Sequence, residues 1–152
     1  MVFFCPNFFN FIDIKTEIMS DKKYLQDCIK DVADFHDAFK IGNESDPIAD
    51  VGEDTYTLRY NLMKEENEEY LEAAKAGDLV EIADACGDML YILCGTLLKH
   101  GLQDKIEEVF SEIQRSNMSK LGADGEPIYR EDGKVLKSEL YFKPNIKAIL
   151  DN

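Results

Sequence analysis

Carboxylate side chains on two consecutive helical segments are the feature of this sequence best suited to chemistry. The first segment carries Glu65, Glu66 and Glu69, and the second, beyond a short connection, carries Asp84 and Asp88. An unpaired carboxylate is costly to bury, so buried acids are normally paired with cations, protonated or bound to a metal ion. The place of these acids on their helices therefore decides whether they form an ordinary solvated surface or a metal site.

The periodicity of both segments places acids at stations that usually hold core residues. In the first segment an apolar stripe begins with Leu58 and Leu62, and its next stations are Glu66, Glu69 and Ala73. Between residues 79 and 98 the only charged side chains are Glu81, Asp84 and Asp88. Because the rest of this second segment is apolar or glycine on every side, the pattern predicts a buried helix with one acidic stripe.

Bases that could neutralise these acids are scarce, which favours divalent cations. The first segment offers Arg59, Lys64 and Lys75, and the second only Lys99 at its end. Shared protons would relieve one or two acids at neutral pH but not the whole cluster. All-oxygen ligands suit Mg²⁺, Mn²⁺ or Ca²⁺, and Mg²⁺ typically shares its coordination shell with substrate phosphates. The sequence therefore predicts phosphoryl chemistry with Mg²⁺ as the cofactor and Mn²⁺ as a substitute.

The connection at Gly77-Asp78 predicts that the two helices are antiparallel neighbours. At about 1.5 Å per residue, Glu66 and Asp88 each lie roughly 16 Å from this turn. Glu69, at roughly 12 Å, is level with Asp84, at roughly 10 Å. These four residues are the predicted metal ligands.

The remaining acids have more than one interpretation. Glu81 lies nearer the turn, where it either joins the metal site or forms a capping box with Asp78 three residues earlier. Glu65 is the candidate catalytic residue that orients or deprotonates a water molecule, and its alternative role is that of a ligand. Glu68 and Glu72 are interpreted as solvated surface residues.

The elements that must position these residues are helical throughout the central part of the chain. Apolar residues at steps of three and four predict an inward stripe on the first helix and another on the fourth. The stripes consist of Leu25, Ile29, Val32, Phe35 and Phe39, and of Ile106, Val109, Phe110 and Ile113. The predicted helices span about residues 21–40, 55–76, 79–100 and 104–118, followed by a small hairpin around Asp132-Gly133 and a terminal helical turn at 145–150.

These elements predict an all-α protein with a short C-terminal hairpin or loop tail. We assign residues 1–20 to a Phe-rich N-terminal extension, 21–120 to a helical catalytic domain and 121–152 to a basic tail that packs on it. The extension lacks the basic start and cleavage site of a signal peptide. No run of about 18 uninterrupted apolar residues predicts a membrane span.

Charge and cysteine content restrict the partners and the compartment. The formal net charge of -14 argues against nucleic acid as a partner, because phosphate backbones require a basic surface. Residues 1–114 carry this negative charge, whereas bases outnumber acids in residues 115–147. An acidic body with a basic tail suits a ligand that joins metal ions to phosphates, although solvated helix faces and a basic loop explain the same pattern. Cys5, Cys28, Cys86 and Cys94 form no C-x-x-C pair, which predicts reduced, buried thiols in a cytoplasmic protein.

Two motifs in these helices resemble those of a known superfamily. Glu65 to Glu69 have the E-E-x-x-E form, and Glu81 to Asp84 give E-x-x-D after a short helical connection. Together with residues 31–42, 77–101 and 110–142, they resemble the MazG-like, all-α NTP pyrophosphohydrolases, in particular the phosphoribosyl-ATP pyrophosphohydrolase-like branch. The resemblance covers about residues 25–150.

The resemblance implies an obligate homodimer or a dimer of dimers, with four-helix cores formed between chains. It also implies cleavage between the α and β phosphates of a nucleotide. In many MazG-like proteins the acid-x-x-Asp pair directly precedes a Leu-Leu-Tyr or Leu-Trp segment. Here the aspartate before Met89-Leu90-Tyr91 is Asp88, and the residue three before it is Ala85. Either Glu81 and Asp84 form the pair with Asp88 as an extra ligand, or Asp84 and Asp88 act together.

Residues outside the acid motifs complete the predicted site. Six polar and basic residues at and beyond the end of the fourth helix are predicted to bind substrate phosphates, although helix-end and hairpin solubility would explain them too. They are Arg115, Asn117, Lys120, Arg130, Lys134 and Lys137. By position alone, Phe35, His36 and Phe39 border the base pocket, while a hydrogen-bonded structural role is the alternative for His36.

The predicted function is Mg²⁺-dependent hydrolysis of a nucleoside triphosphate, or a related nucleotide, to the monophosphate and pyrophosphate. Phosphoribosyl-ATP is the alternative substrate, although the histidine-pathway enzyme that the chain resembles is usually shorter and lacks this tail. A helical dimer that senses nucleotides or Mg²⁺ without turnover is the main rival. A purely structural helical protein is a third interpretation, and it predicts that Mg²⁺ leaves the melting temperature unchanged.

Overall fold

A computed structural model describes residues 24–151, and these residues form an all-α protein, as predicted. The assignments to residues 1–20 and the predicted start of the first helix lie outside the described residues. No β-strand occurs in residues 24–151. The described residues contain the helices α1 (Leu25–Ala38), α2 (Glu53–Ala76), α3 (Leu79–Lys99), α4 (Ile106–Met118) and α5 (Ile146–Leu150).

The connection between α2 and α3 has the predicted chemistry. Gly77 ends α2 in the left-handed conformation with φ 70°, a backbone geometry that glycine adopts without a steric penalty. Asp78 then begins α3, and its Oδ1 accepts hydrogen bonds from the backbone N–H groups of Val80 (3.0 Å) and Glu81 (3.3 Å). This aspartate satisfies two donors that a helix start otherwise leaves unpaired. The two-residue connection holds α2 and α3 side by side, and they pack along their length.

The hydrophobic core lies between α1 and the C-terminal half of α3. Partly buried residues from α1 and from the start of α4 pack around it. The buried core residues are Ile29, Val32, Cys94, Leu97 and Leu98. The predicted stripe of α1 is therefore correct for Leu25, Ile29 and Val32. It is wrong for Phe35 and Phe39, which are 38% and 67% exposed, because at this end of α1 the side that packs inward is that of His36, which is buried.

The prediction that α3 is buried on every side is wrong for a single chain. Its C-terminal half is in the core, but Leu79 and Val80 are 76% and 74% exposed, and Leu90 and Leu93 are exposed as well. On α4, Phe110 and Ile113 are also exposed, contrary to the inward stripe. The reason is that α4 packs chiefly on α5 and the tail, so no helix among residues 24–151 covers these faces.

The tail from residue 121 folds back on α4 through hydrogen bonds from serine side chains. Ser116 Oγ donates to the carbonyl oxygen of Phe142 at 2.8 Å, and the Phe142 N–H donates to Ser119 Oγ at 3.2 Å. The predicted hairpin is reduced to one antiparallel bridge between Tyr129 and Val135. It closes at Gly133, whose φ of 83° fits the predicted turn.

Two further predictions concern membranes and thiols. Among residues 24–151, no helix combines the length and the apolar content needed to cross a bilayer. Cys28, Cys86 and Cys94 are free thiols. Cys94 is buried as predicted, whereas Cys86 is exposed on a face of α3 that no element of the described part of the chain covers.

Candidate active site

Glu66 is the most unusual carboxylate among the residues that the structure describes. It lies on α2 at the interface with α3, where it is partly buried. Its Oε2 is fully buried and has no hydrogen-bond partner within the described residues. A buried oxygen with no donor is rare in folded proteins, because such an atom has lost its water without compensation. This oxygen, which has no hydrogen-bond donor in residues 24–151, is suited to interact with a cation.

The surroundings of Glu66 make its negative charge unfavourable. Burial raises the pKa of Glu66, and the charges of Glu69, Asp88, Glu65 and Asp84 raise it further, in that order. The predicted ligands Glu69, Asp84 and Asp88 therefore all lie close enough to Glu66 to repel its charge. Asp88 has a larger effect than Asp84, which agrees with its predicted place level with Glu66.

The other acids of this site are more accessible than the sequence pattern predicts. Glu69, Asp84 and Asp88 are exposed in the single chain, so their assignment to core stations is wrong at this level. Helix periodicity marks this stripe of acids, but it does not tell whether another element covers it, and among residues 24–151 it is left open to water. Below, the carboxylate face denotes Glu66 together with Glu69, Asp84 and Asp88.

The donor set of the carboxylate face fits Mg²⁺. Within residues 24–151, no three His, Cys, Asp or Glu side chains converge closely enough to enclose a metal ion. Mg²⁺ does not require such an enclosure, because it keeps several waters and binds through one or two carboxylates plus substrate phosphates. The buried, unpaired Glu66 Oε2 and its neighbouring all-oxygen donors meet that requirement.

Glu81 and Glu65 lie on either side of the carboxylate face. The backbone N–H of Glu81 is bound by Asp78 in the first turn of α3. Its side chain is exposed and lines a surface cleft near the turn, together with Glu69 and Glu72. Glu81 is not among the acids that raise the pKa of Glu66, whereas Glu65 is. Glu65 is thus the closer of the two to the buried oxygen, and its side chain is exposed to water.

Aromatic rings lie near Asp88 on the α1–α3 side. Phe35 stacks on Phe39 with a centroid separation of 4.3 Å, and it meets Tyr91 edge-to-face at 5.7 Å. The ring centroid of His36 lies 6.4 Å from that of Phe35. His36 is buried, and its Nδ1 lies 2.6 Å from Asn43 Oδ1, so the structural alternative is correct. A buried imidazole with such a partner serves to fix the loop after α1.

A cavity of about 210 Å³ opens beside these rings, between α1 and α3. Its volume is below the roughly 300–1,000 Å³ of clefts that hold drug-sized ligands. It therefore has room for one ring system rather than for a whole nucleotide. The lining includes Cys28, Val32, Gly87, Leu90, Tyr91 and Cys94.

The predicted phosphate-binding residues of α4 and the tail already have partners. Arg115 forms two hydrogen bonds to Glu112, at 2.8 and 2.9 Å, and lies over the ring of Phe142. Arg130 pairs with Asp132. Lys120 donates to Asn117 Oδ1 at 2.8 Å, which leaves two of its three N–H donors available.

The two remaining lysines of the predicted phosphate site have different surroundings. The Nζ of Lys137 lies 4.2 Å from the ring centroid of Tyr141. The backbone of Lys134 takes part in the hairpin, and its side chain is exposed.

Arg59 is a residue near the site to which the sequence analysis gave no role of its own. It lies on α2, seven residues before Glu66 and hence on the same face of the helix. Its guanidinium is partly buried and donates to the backbone of α3. The signal that could have identified it is a lone base on a stripe that otherwise carries leucine and glutamate.

Comparisons with known proteins relate this chain to one family and to one viral protein. The family model for phosphoribosyl-ATP pyrophosphohydrolase matches residues 32–117, which is more than half of the chain. The matched span contains the carboxylate face and ends before the tail. An uncharacterised protein of Acanthamoeba polyphaga mimivirus is 46% identical over 48 residues, which is 32% of this chain and 19% of the mimivirus protein. The aligned stretch thus spans about a fifth of that relative's length.

Proposed function

The chain belongs to the phosphoribosyl-ATP pyrophosphohydrolase family, and we propose that it hydrolyses a nucleoside triphosphate to the nucleoside monophosphate and pyrophosphate. Family membership supports a nucleotide pyrophosphohydrolase type of function. The observation that carries the finer proposal is the buried, unpaired Oε2 of Glu66 among four further carboxylates. Such a cluster is tolerable beside a divalent cation and has no evident structural use without one.

Mg²⁺ is the cofactor that the donor set favours, and Mn²⁺ is expected to replace it. Glu66 and Asp88 would hold the ion at one level of the α2–α3 interface, with Glu69 and Asp84 one turn nearer the connection. When bound, the ion would neutralise charge on the phosphates and lower the pKa of a water molecule. The backbone N–H of Asp78 donates to the carbonyl oxygen of Ala73, so the Glu81 side chain does not complete a capping box, and any contact of Glu81 to the ion would be secondary.

Glu65 is the proposed general base. Its side chain is solvent-accessible and close to Glu66, so it can accept a proton from a water molecule at the edge of the site. The oxygen of that water attacks the α phosphorus, the bond to the bridging oxygen of the β phosphate breaks, and pyrophosphate leaves. The proton removed from the water goes to the Glu65 carboxylate.

Residues on the two sides of the carboxylate face are suited to bind the base and the phosphates of the nucleotide. The cavity between α1 and α3, with Tyr91 at its wall and Phe35 beside it, is the proposed base site. This proposal replaces His36 with Tyr91 and retains Phe35. Lys120 is the tail residue best suited to a phosphate, because its ammonium has two unused donors and no carboxylate partner within residues 24–151. Arg115 and Arg130 would have to exchange their acidic partners for phosphate.

A homodimer or a dimer of dimers is the expected assembly. Leu79, Leu90 and Leu93 are exposed on α3, and the helix period places them on the side roughly opposite Asp84 and Asp88. A second copy that covered this surface would remove apolar area from water. Light scattering coupled to size-exclusion chromatography tests this expectation.

Incubation with a panel of dNTPs, NTPs and phosphoribosyl-ATP, with and without Mg²⁺, tests the proposed function. We expect stoichiometric pyrophosphate and monophosphate from at least one nucleoside triphosphate, only with the metal present. Turnover of phosphoribosyl-ATP alone would select the alternative substrate. Tight nucleotide binding without product at high protein concentration would identify the chain as a nucleotide sensor.

A further inference from the structure

Arg59 reaches across from α2 to the backbone of α3. Its Nη2 donates to the carbonyl oxygen of Ile92 at 2.5 Å, and its Nε donates to Thr96 Oγ1 at 3.1 Å. Thr96 Oγ1 also donates to the Ile92 carbonyl oxygen, at 2.9 Å. Nε and Nη2 of the planar guanidinium are thus held by neighbouring acceptors on α3. Arg59 therefore fixes the position of α2 along the axis of α3.

Fold stability alone does not account for this arginine. Burial lowers its pKa, and no carboxylate pairs with it in residues 24–151, although both helices carry several acids. Removing a charge from water without an ionic partner is unfavourable, and a well-packed apolar side chain often replaces such a group without loss of stability. The directional hydrogen bonds are what an apolar residue could not supply.

The backbone of α3 is shaped around this contact. A Cβ at Gly95 would lie 2.7 Å from Arg59 Nη2 and 3.1 Å from His36 Nε2. Arg59 Nη2 and His36 Nε2 are therefore at most 5.8 Å apart, which is the sum of these two distances. Since His36 Nδ1 is bound to Asn43, the network joins α1, the loop after it, α2 and α3 at one point. Only glycine leaves space for both side chains here.

This network lies next to the carboxylate face. Arg59 precedes Glu66 by seven residues, which is roughly 10 Å along α2, and Ile92 follows Asp88 by four residues, or roughly 6 Å along α3. The Gly77-Asp78 connection fixes the other end of the helix pair. Any sliding of α2 along α3 would change the distance between Glu66 and Asp88, and these two fixed points prevent it.

We propose that Arg59 is a positioning residue that holds Glu66 and Asp88 at the separation required for divalent cation binding and turnover. It acts through the α3 backbone and touches neither metal nor substrate. The proposal rests on the proposed function for its catalytic part, and on the geometry of the helix pair for its metal-binding part.

The variants Arg59→Met and Arg59→Lys test this role through two independent measurements. Mn²⁺ affinity is measured by electron paramagnetic resonance titration of the protein without nucleotide. Steady-state kinetics give kcat and KM. We expect Arg59→Met to keep its melting temperature within a few degrees, to bind Mn²⁺ at least about tenfold more weakly and to lose kcat at least about tenfold, because displaced metal sites and misplaced reacting groups have effects of this size. KM should change less than kcat.

Arg59→Lys is the conservative variant, and Lys64→Met is the matched control. Lysine can supply one of the two hydrogen bonds, so we expect Mn²⁺ affinity and kcat between those of wild type and Arg59→Met. Lys64 lies on the same helix and pairs with Glu68 at the surface, 3.6 Å apart, so its loss should change neither quantity more than about twofold.

The outcomes separate the two proposals. A folded Arg59→Met protein with wild-type Mn²⁺ affinity and kcat overturns the positioning role. If Arg59→Met does not fold, Arg59→Lys decides: wild-type Mn²⁺ affinity and kcat in that variant also overturn the role. A wild-type protein that binds Mn²⁺ but cleaves no nucleotide refutes the hydrolase function, and the Mn²⁺ titrations still test Arg59.

Discussion

The carboxylate face of α2 and α3 and the basic tail hold their charges in different ways. On the carboxylate face, none of the four acids has an ion pair within residues 24–151, and Glu66 Oε2 is buried without any partner. In the tail and at the end of α4, Arg115 and Arg130 each pair with an acid only two or three residues away in sequence. One region leaves charge uncompensated, and the other compensates it locally.

This difference shows how to separate a site from a solvated surface. A charge with a local partner serves the fold, as Glu112 does when it accepts from Arg115 and from the backbone N–H of Asn145. A charge that is buried and repelled by its neighbours lowers stability, so it points to a ligand that is bound during function. By this criterion Glu66 is the centre of the site, and Lys120 is the strongest candidate in the tail.

The largest effect is expected from Glu66→Gln, which keeps the shape of the side chain and removes its charge. Loss of a metal ligand removes several kcal/mol of transition-state stabilisation, so kcat/KM should fall at least about 100-fold. The isosteric control is Glu68→Gln, since Glu68 pairs with Lys64 on the surface. Steady-state pyrophosphate release measures both variants. Equal losses in the two would place the catalytic centre elsewhere on α2.

A smaller effect is expected in the tail, where Lys120→Met tests whether the basic residues bind phosphate. A hydrogen bond to a charged group contributes about 1.5–3 kcal/mol, so KM for the nucleotide should rise roughly tenfold or more while kcat changes little. Lys147→Met serves as the control, because Lys147 is bound to Asp151 at the end of the chain. An unchanged KM for Lys120→Met would leave the tail a purely structural element.

The smallest effect is expected in thermal stability without metal. The folded protein raises the pKa of Glu66 above the value of about 4.3 that an unfolded chain shows. Protonation of Glu66 thus favours the fold at low pH, and this contribution is lost as pH rises through the raised pKa. The melting temperature of Glu66→Gln should therefore exceed that of wild type by a few degrees at pH 7, with a smaller difference near pH 4.

With Mg²⁺ present, the melting temperature of wild type should exceed that of Glu66→Gln. The reason is that Mg²⁺ stabilises the folded protein that binds it, and the variant binds it more weakly. Calorimetric scans between pH 4 and pH 8, with and without Mg²⁺, measure the difference. A difference that is constant across this range would show that Glu66 is not perturbed by its neighbours.

Local sequence determined the helices, the connection between α2 and α3, and the choice of acids. Helix periodicity and the Gly77-Asp78 signal depend on residues within a few turns of one another, so a single sequence contains them. These local signals also predicted that Glu66, Glu69, Asp84 and Asp88 lie on facing sides of one helix pair. The clearest prediction, an all-α protein, relied on this information alone.

Tertiary structure decided which of these residues are buried and which side chains meet. Exposure of Leu79, Val80 and Phe110 depends on what covers each helix, and periodicity cannot tell a face covered within one chain from a face left open. The contact of Arg59 with α3, and the need for Gly95 beneath it, join residues 36 positions apart. Such contacts arise only when the helices pack at a definite level, because burial and hydrogen bonding are properties of the assembled helices rather than of any one segment.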